Sequence, residues 1–140
     1  MINPPSSLLE TYDHSGHGYQ PLIDSGEWRV ARLNFTPGEQ VLEFQRHDET
    51  DEVFVLLQGR CILLLGEGAE QVTRIYAQEM QPFRLYNVRR GTWHARVLSA
   101  DAKVLIVENR DTTAANSPKI PLNISQQEEV ASIVRQIWGE

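Results

Sequence analysis

Apolar and polar residues alternate in short runs between Trp28 and Glu108, and glycine, proline and acidic residues separate the runs. Alternation with a period of two is typical of strands that bury one face. The pattern predicts strands over Trp28–Phe35, Val41–His47, Val53–Gln58, Arg60–Leu65, Val72–Ala77, Phe83–Val88, His94–Ser99 and Lys103–Glu108. Short strands at this spacing indicate a β-sandwich or a β-barrel.

The two ends of the chain have other patterns. Residues 1–27 are rich in proline and glycine, so we expect an arm in which only Ser6–Glu10 forms a brief helical turn. Near the other end, apolar residues recur at helical spacing behind a Ser125-x-x-Glu128 capping box. They are Val130, Ile133, Val134, Ile137 and Trp138. We therefore expect an amphipathic helix that packs on the outside of the barrel or on a second subunit.

These patterns predict a single domain, with an arm over 1–27, a barrel over 28–112, and a linker and helix over 113–140. The chain has 140 residues, of which 41% are apolar, which suffices for one core. The net charge is −6 and the acidic residues are scattered. Because nucleic acid needs a basic surface, the charge argues against a nucleic-acid partner. We expect a homodimer that binds a small molecule.

The cysteine content and the apolar runs bear on the compartment. Cys61 is the single cysteine, so it cannot form an internal disulfide, and its apolar strand favours a packing role. The start of the sequence has no basic stretch followed by an apolar run, as a signal peptide would. The longest apolar runs are far shorter than the roughly 20 residues of a membrane-spanning helix. We expect a cytoplasmic protein without a membrane segment.

Two strands and a later one carry candidate metal ligands. Alternation places Gln45 and His47 on one face of their strand, and Glu52 on the matching face of the next. His94 begins a later strand and shares a face with Arg96. Imidazole nitrogen and carboxylate oxygen are usual ligands of first-row metals. We therefore predict His47, Glu52 and His94 as ligands and Gln45 as an optional fourth, in an interior lined by Phe54, Leu56, Tyr86 and Trp93.

The spacing of these residues resembles the two motifs of the cupin superfamily. The first motif of that family, Gly-(x)5-His-x-His-(x)3,4-Glu-(x)6-Gly, is matched by Gly38 and by Gln45-x-His47-(x)4-Glu52-(x)6-Gly59. The second is matched by Gly91-(x)2-His94. The chain departs from the family pattern at four points: the first glycine is one residue too far away, Gln45 replaces a histidine, Arg89 a proline and Leu98 an asparagine. The resemblance implies an all-β, double-stranded β-helix (jelly-roll) barrel, here followed by a C-terminal α-helix.

A second resemblance is more local. The segment from Tyr86 to His94, which contains Arg-Gly-Thr-Trp-His, is similar to the second-motif region of ureidoglycolate lyases, as is the segment from Lys103 to Arg110. This resemblance implies lyase chemistry as a minority option.

The residues leave three functions open. In the first, a divalent metal acts as a Lewis acid toward a small carboxylate or hydroxy-acid substrate, Glu43 or Glu49 moves a proton, and Arg96 binds a carboxylate. In the second, the barrel is a metal-free module that binds a sugar or an acid. In the third, it is a dimeric scaffold without catalysis. Because Gln45 offers a harder and weaker donor than imidazole, the site favours manganese, iron or nickel, or zinc with open positions, or holds no metal.

Other chemistries are excluded by missing motifs. The sequence has no glycine-rich phosphate loop, no Gly-x-Ser-x-Gly elbow, no Cys-x-x-Cys pair and no His-Glu-x-x-His helix. Nucleotide-dependent and serine-hydrolase functions are therefore not expected.

Overall fold

Strands dominate the computed structural model, which describes residues 2–139. The strands are β1 (Gly18–Ser25), β2 (Trp28–Asn34), β3 (Glu43–Gln45), β4 (Glu52–Gln58), β5 (Cys61–Glu67), β6 (Arg74–Glu79), β7 (Leu85–Val88), β8 (Trp93–Leu98), β9 (Lys103–Asn109) and β10 (Lys119–Pro121). A 3-10 turn spans Ala114–Asn116, and helix α1 spans Ile124–Trp138. No helix within residues 2–139 has both the length and the apolar character needed to cross a membrane.

The strands form two antiparallel five-stranded sheets. The first has the order β1-β2-β9-β4-β7 and the second the order β10-β3-β8-β5-β6. Of strands β2 to β9, β2-β9-β4-β7 therefore form one layer and β3-β8-β5-β6 the layer that faces it. This is the strand order of a jelly roll, which is built from two Greek keys. The predicted all-β, double-stranded β-helix barrel with a C-terminal helix is confirmed.

The space between the sheets holds the main core. Its buried members come from alternate positions of both sheets and include Ala31, Leu33, Phe54, Leu56, Cys61, Leu63, Leu98, Val104 and Ile106. Each fully buried side chain of the size of leucine stabilises the fold by about 1.5–3 kcal/mol relative to an exposed one. Cys61 is fully buried here, as its predicted packing role requires, and burial raises the pKa of its thiol to about 12.

A second core lies on the outer face of the β3-β8-β5-β6 layer. Strand residues that point away from the barrel interior meet the apolar stripe of α1, and the members include Phe44, Ile62, Leu64, Trp93, Ala95, Val130, Ile133, Val134, Ile137 and Trp138. Of the two predicted partners for the helix, the structure shows the outer face of the barrel. The expected interior position of Trp93 is wrong, because Trp93 and His94 are consecutive in a strand and must point to opposite faces.

The N-terminus of α1 differs from the predicted capping box. Asn123 is the N-cap, and its side-chain oxygen accepts a hydrogen bond of 2.8 Å from the backbone N–H of Gln126. The Gln126 side chain in return accepts one of 3.0 Å from the backbone N–H of Asn123. Ser125 and Glu128 therefore lie inside the helix. The apolar periodicity located the helix correctly, but Asn-x-x-Gln performs the capping.

Two strands lie in segments where none was expected. Gly18–Ser25, part of the predicted arm, is β1 and pairs with β2. Pro21 is tolerated because β1 is an edge strand, and the pairing shifts register between Pro21 and Ile23. Lys119–Pro121, part of the predicted linker, is β10 and pairs with β3. Both additions widen the sheets next to the predicted site.

Candidate metal centre

The three predicted ligands converge at one end of the barrel interior. His47 follows β3 and His94 lies in β8, which are neighbouring strands of the second sheet, whereas Glu52 begins β4 in the first. Glu52 Oε1 lies 2.9 Å from His94 Nε2 and 3.3 Å from His47 Nε2, and the two ring centroids are 5.1 Å apart. All three side chains are buried. The structure thus joins the two sheets through one acid and two imidazoles.

The orientation of the His94 ring is fixed by a backbone carbonyl. His94 Nδ1 lies 3.0 Å from the carbonyl oxygen of Thr92. A carbonyl oxygen can only accept a hydrogen bond, so Nδ1 carries the proton. In the neutral ring, the lone pair of Nε2 therefore faces Glu52.

The orientation of the His47 ring is fixed by a longer chain of hydrogen bonds. The backbone N–H of Thr113 donates to Asn116 Oδ1 over 2.9 Å, and Asn116 Nδ2 donates to the carbonyl of Asp111 over 2.8 Å. These contacts make Asn116 Oδ1 an acceptor, and it receives the Ser117 hydroxyl over 3.1 Å. The Ser117 oxygen, 2.7 Å from His47 Nδ1, then accepts from that nitrogen. The lone pair of His47 Nε2 thus also faces Glu52.

Two nitrogen lone pairs and a carboxylate oxygen that face one another require a cation between them. Burial lowers the pKa of His47, but hydrogen bonding to Glu52 and its charge outweigh burial and raise that pKa above its usual value. Burial likewise raises the pKa of Glu52, but the two histidines outweigh it and hold that pKa well below its usual value. Glu52 is therefore ionised, and the required cation is either a proton or a metal ion.

The donor atoms fit a metal ion. Ligands that bind one ion at about 2.1 Å lie roughly 3–3.5 Å apart in octahedral or tetrahedral arrangements. The separations of 2.9 and 3.3 Å from Glu52 Oε1 are of this size, and the ligand atoms of the three residues all lie within 4.8 Å of one another. The second nitrogen of each histidine is held by an outer hydrogen bond, as is usual for histidines that bind metals.

A cavity of about 380 Å³ opens onto the three residues. Its walls also include Tyr19, Arg29, Gln45, Phe54, Arg96, Ile106, Glu108, Thr112, Thr113, Ala114, Ser117 and Lys119. Of the predicted apolar lining, Phe54 borders this cavity, while Leu56 and Tyr86 lie in the main core. Gln45 borders it as well, and its amide nitrogen donates to the carbonyl of Ser117 over 3.2 Å. Ligation by Gln45 stays a prediction.

The three residues predicted to take part in catalysis lie in different places. Arg96 borders the cavity. Glu43 is exposed at the start of β3, where its carboxylate lies 3.4 Å from Lys119 Nζ. Glu49 is exposed in the turn before β4 and borders a separate depression with Trp28. Neither Glu43 nor Glu49 is among the residues that border the cavity, so a proton-transfer role for either stays a prediction.

Glu108 is a buried acid that the sequence analysis missed. It accepts hydrogen bonds from the Tyr19 hydroxyl and from Arg29 Nη2, the latter over 2.7 Å. Burial raises its pKa, and the neighbouring Glu52 raises it further. Its Oε2 atom is buried without a hydrogen-bond partner. The sequence could have predicted the inward position of Glu108, because strand alternation places Val104, Ile106 and Glu108 on the same face of β9.

The comparisons with known proteins bear on the fold. No protein-family model matches the sequence, and no curated protein matches it. Among solved structures, a Streptomyces PAC13 variant with uridine superposes with a TM-score of 0.58 at 8% identity, covering 86% of this chain and 98% of that chain. Peruvianin-I, a cysteine peptidase from Thevetia peruviana latex, gives 0.57 at 11% identity, covering 87% and 82%. A cupin-2 domain protein from Shewanella frigidimarina gives 0.48 at 20% identity, covering 75% and 88%.

The jelly-roll strand order and the interior position of both motif histidines decide the fold. This chain has the cupin fold. At these low sequence identities the likeness supports the fold and not the activity. The activity of the barrel follows from its own residues. The resemblance to ureidoglycolate lyases is not shown by these matches and stays a prediction.

Proposed function

We propose that this cupin barrel is a divalent-metal-dependent enzyme that acts on a small carboxylate or hydroxy acid. The observation that carries the proposal is the convergence of His47 Nε2 and His94 Nε2 on the ionised carboxylate of Glu52. An arrangement of two neutral imidazoles and one acid, each held by outer contacts, suits manganese, iron, nickel or zinc.

The residues around the three ligands have complementary tasks. A divalent metal, when bound, supplies Lewis-acid polarisation of a substrate oxygen. His47, Glu52 and His94 would hold it through one atom each, and the cavity onto which they open would give a substrate access to it. Phe54 and Ile106 border the cavity with apolar surface and limit the access of water. The cationic groups of Arg96 and Lys119 in its walls suit an anionic substrate.

The activities of similar folds transfer only in part. Pac13 is a nucleoside dehydratase, and the loss of water from a hydroxylated compound is compatible with a hydroxy-acid substrate here. Peruvianin-I is a cysteine peptidase. The cysteine of this chain is fully buried in the main core with a raised pKa, so it lacks the exposure and the thiolate that a nucleophile needs. We therefore do not carry peptidase activity over.

Metal content tests the proposal. The protein is purified without a His tag, incubated with Mn²⁺, Fe²⁺, Ni²⁺ or Zn²⁺, dialysed, and measured by mass spectrometry of the elements. We expect roughly one ion per chain, and its loss in His47→Ala and in His94→Ala. His17→Ala is the matched control, because His17 lies exposed on the arm and contacts the carbonyl of Phe35.

Circular dichroism checks that each variant is folded. If the native protein takes up none of the four ions, the metal-dependent function is wrong and a proton holds the three residues together. A melting temperature that rises with an added acid or sugar in that metal-free protein would then support the binding-module alternative.

A further inference from the structure

We propose that Arg96 forms a second anion-binding point, so that the ligand of the cavity is a compact acid with two anionic ends. The inference rests on the proposed function for one of those ends, which the metal would bind. The other end, a carboxylate, is held by the guanidinium of Arg96. The ligand class is thus narrowed from any small acid to roughly four-carbon dicarboxylic acids such as malate.

The first observation is the placement of Arg96 relative to the metal ligands. Arg96 and His94 are separated by one residue in β8, so their side chains leave the same face of the strand. Their Cα atoms are about 6.6 Å apart at the usual rise of a strand. Both side chains border the same cavity. A ligand that reaches the metal therefore has Arg96 within a few carbon–carbon bonds.

The second observation is that the guanidinium of Arg96 is uncommitted. Its Nε atom is buried and has no hydrogen-bond partner among residues 2–139. The carboxylate that approaches it, from Glu39, remains 3.8 Å from Nη2, which is beyond hydrogen-bond distance. A buried donor without an acceptor is costly, and a carboxylate of the ligand would satisfy Nε and Nη2 together through two parallel hydrogen bonds.

Among the described residues, the other two cationic side chains of the cavity each lie closer to a carboxylate than Arg96 does, although Arg29 Nε is also buried without a hydrogen-bond partner. Arg29 donates from Nη2 to Glu108 over 2.7 Å and to the carbonyl of Thr112 over 3.2 Å. Lys119 Nζ lies 3.4 Å from the carboxylate of Glu43. Arg96 is therefore the cavity cation best placed to receive a carboxylate. At about 380 Å³, the cavity is at the small end of ligand sites and fits a compact acid.

The binding affinities of two related acids test whether a second carboxylate of the ligand contributes to binding. Glycolate has one carboxylate and a hydroxyl group, and L-malate adds a carboxymethyl arm to the same frame. Isothermal titration calorimetry measures both acids on the Mn²⁺-incubated protein and on the EDTA-treated protein. We expect malate to bind roughly tenfold more tightly than glycolate to the Mn²⁺-incubated protein, where the metal holds the hydroxy-acid end of either ligand and Arg96 holds the second carboxylate of malate. In the EDTA-treated protein Arg96 can hold a carboxylate of either acid, so the test there is the loss of malate binding in variants of Arg96.

Variants of Arg96 test whether this side chain causes the preference for malate over glycolate. In the Mn²⁺-incubated protein, Arg96→Gln is expected to lower malate affinity to the level of glycolate, while the affinity for glycolate and the metal content stay unchanged. Arg96→Lys, which keeps the charge and loses the planar fork, should fall between the two. Arg60→Gln is the matched control, because Arg60 is an exposed arginine that pairs with Glu79 away from the cavity.

The outcomes separate this inference from the proposed function. Absence of metal uptake counts against the metal-dependent enzyme, and the EDTA-treated arm then still tests Arg96. Equal affinities for the two acids in the Mn²⁺-incubated protein, no saturable binding of malate in either form, or an Arg96→Gln variant that binds malate as tightly as the native protein would each overturn the inference.

Discussion

His94 Nε2 lies 2.9 Å from Glu52 Oε1, while the other nitrogen of the same ring faces the carbonyl oxygen of Thr92. The carbonyl holds the ring proton on Nδ1, so the short contact to Glu52 joins a lone pair to an ionised oxygen unless a cation lies between them. The fold sets this relationship, because β4 and β8 belong to opposite sheets. The need for a cation at this point is the physical basis of the proposed metal centre.

Ser117 should control metal affinity without being a ligand. The hydroxyl oxygen of Ser117 accepts a hydrogen bond from Nδ1 of His47. Ser117→Ala removes that acceptor and frees the ring to turn. We expect metal affinity to fall about 10–100-fold, measured by competition with a chelator of known affinity. Ser132→Ala, in α1 and far from the cavity, is the control and should leave the affinity unchanged. Equal affinities of Ser117→Ala and the native protein would show that this hydrogen bond does not position His47.

Substitution by alanine should destabilise the protein more at Gly59 than at Gly38, the other glycine of the first motif. Gly38 and Gly59 both have positive φ, 78° and 75°, so alanine costs about 1–2 kcal/mol at either position. A Cβ at Gly59 would also lie 2.7 Å from the Cα of Ala102, whereas nothing lies within 4 Å of one at Gly38. We expect Gly59→Ala to lose about 1–3 kcal/mol more unfolding free energy than Gly38→Ala. Urea denaturation measures both, and equal losses would contradict the close approach to Ala102.

Asn123, and not Ser125, should cap α1. Asn123→Ala removes the acceptor for the backbone N–H of Gln126 and should lower the free energy of unfolding by about 1 kcal/mol. Ser125→Ala removes no capping contact and should change stability little, since alanine suits a helix interior. Thermal or urea denaturation of the two variants decides between the caps. A larger loss in Ser125→Ala would restore the capping box expected from the sequence.

Cys61 should resist modification in the folded protein. It is fully buried, and with a pKa of about 12 it carries almost no thiolate near neutral pH. We expect labelling by a thiol reagent at pH 8 to be slow in buffer and complete in strong denaturant. The labelling rate is measured by the colour that a chromogenic disulfide reagent releases when it reacts with the thiol. Labelling in buffer as rapid as that of a free thiol would contradict the buried position.

The regular strands could be predicted from the sequence because each has one buried face. Alternation located β2 and β4 to β9 within a few residues, and helical spacing located α1. Strands β1 and β10 were missed, because β1 contains Pro21 and both strands are stabilised by pairing with a neighbour, which is a tertiary contact. Trp93 was placed on the wrong face although strand alternation already fixed it.

The candidate site was predictable only where the ligands follow motif spacing. His47, Glu52 and His94 were chosen from two segments, and the structure brings them together. The contribution of Ser117 and Asn116 could not be read from the sequence, because it depends on a turn between β9 and β10 that returns to β3. Tyr19 was missed with β1. The inward position of Glu108 could have been predicted from the alternation along β9, but the other inward residues of that strand are apolar and do not indicate a site.

Anomalous diffraction shows whether His47, Glu52 and His94 hold one metal ion. Crystals of the untagged protein, grown with MnCl2, are measured at a wavelength where manganese scatters anomalously. The proposed metal centre requires a peak about 2.0–2.3 Å from His47 Nε2, His94 Nε2 and Glu52 Oε1. Crystals that show the three side chains in place with no anomalous peak between them, or with manganese bound elsewhere, would contradict it.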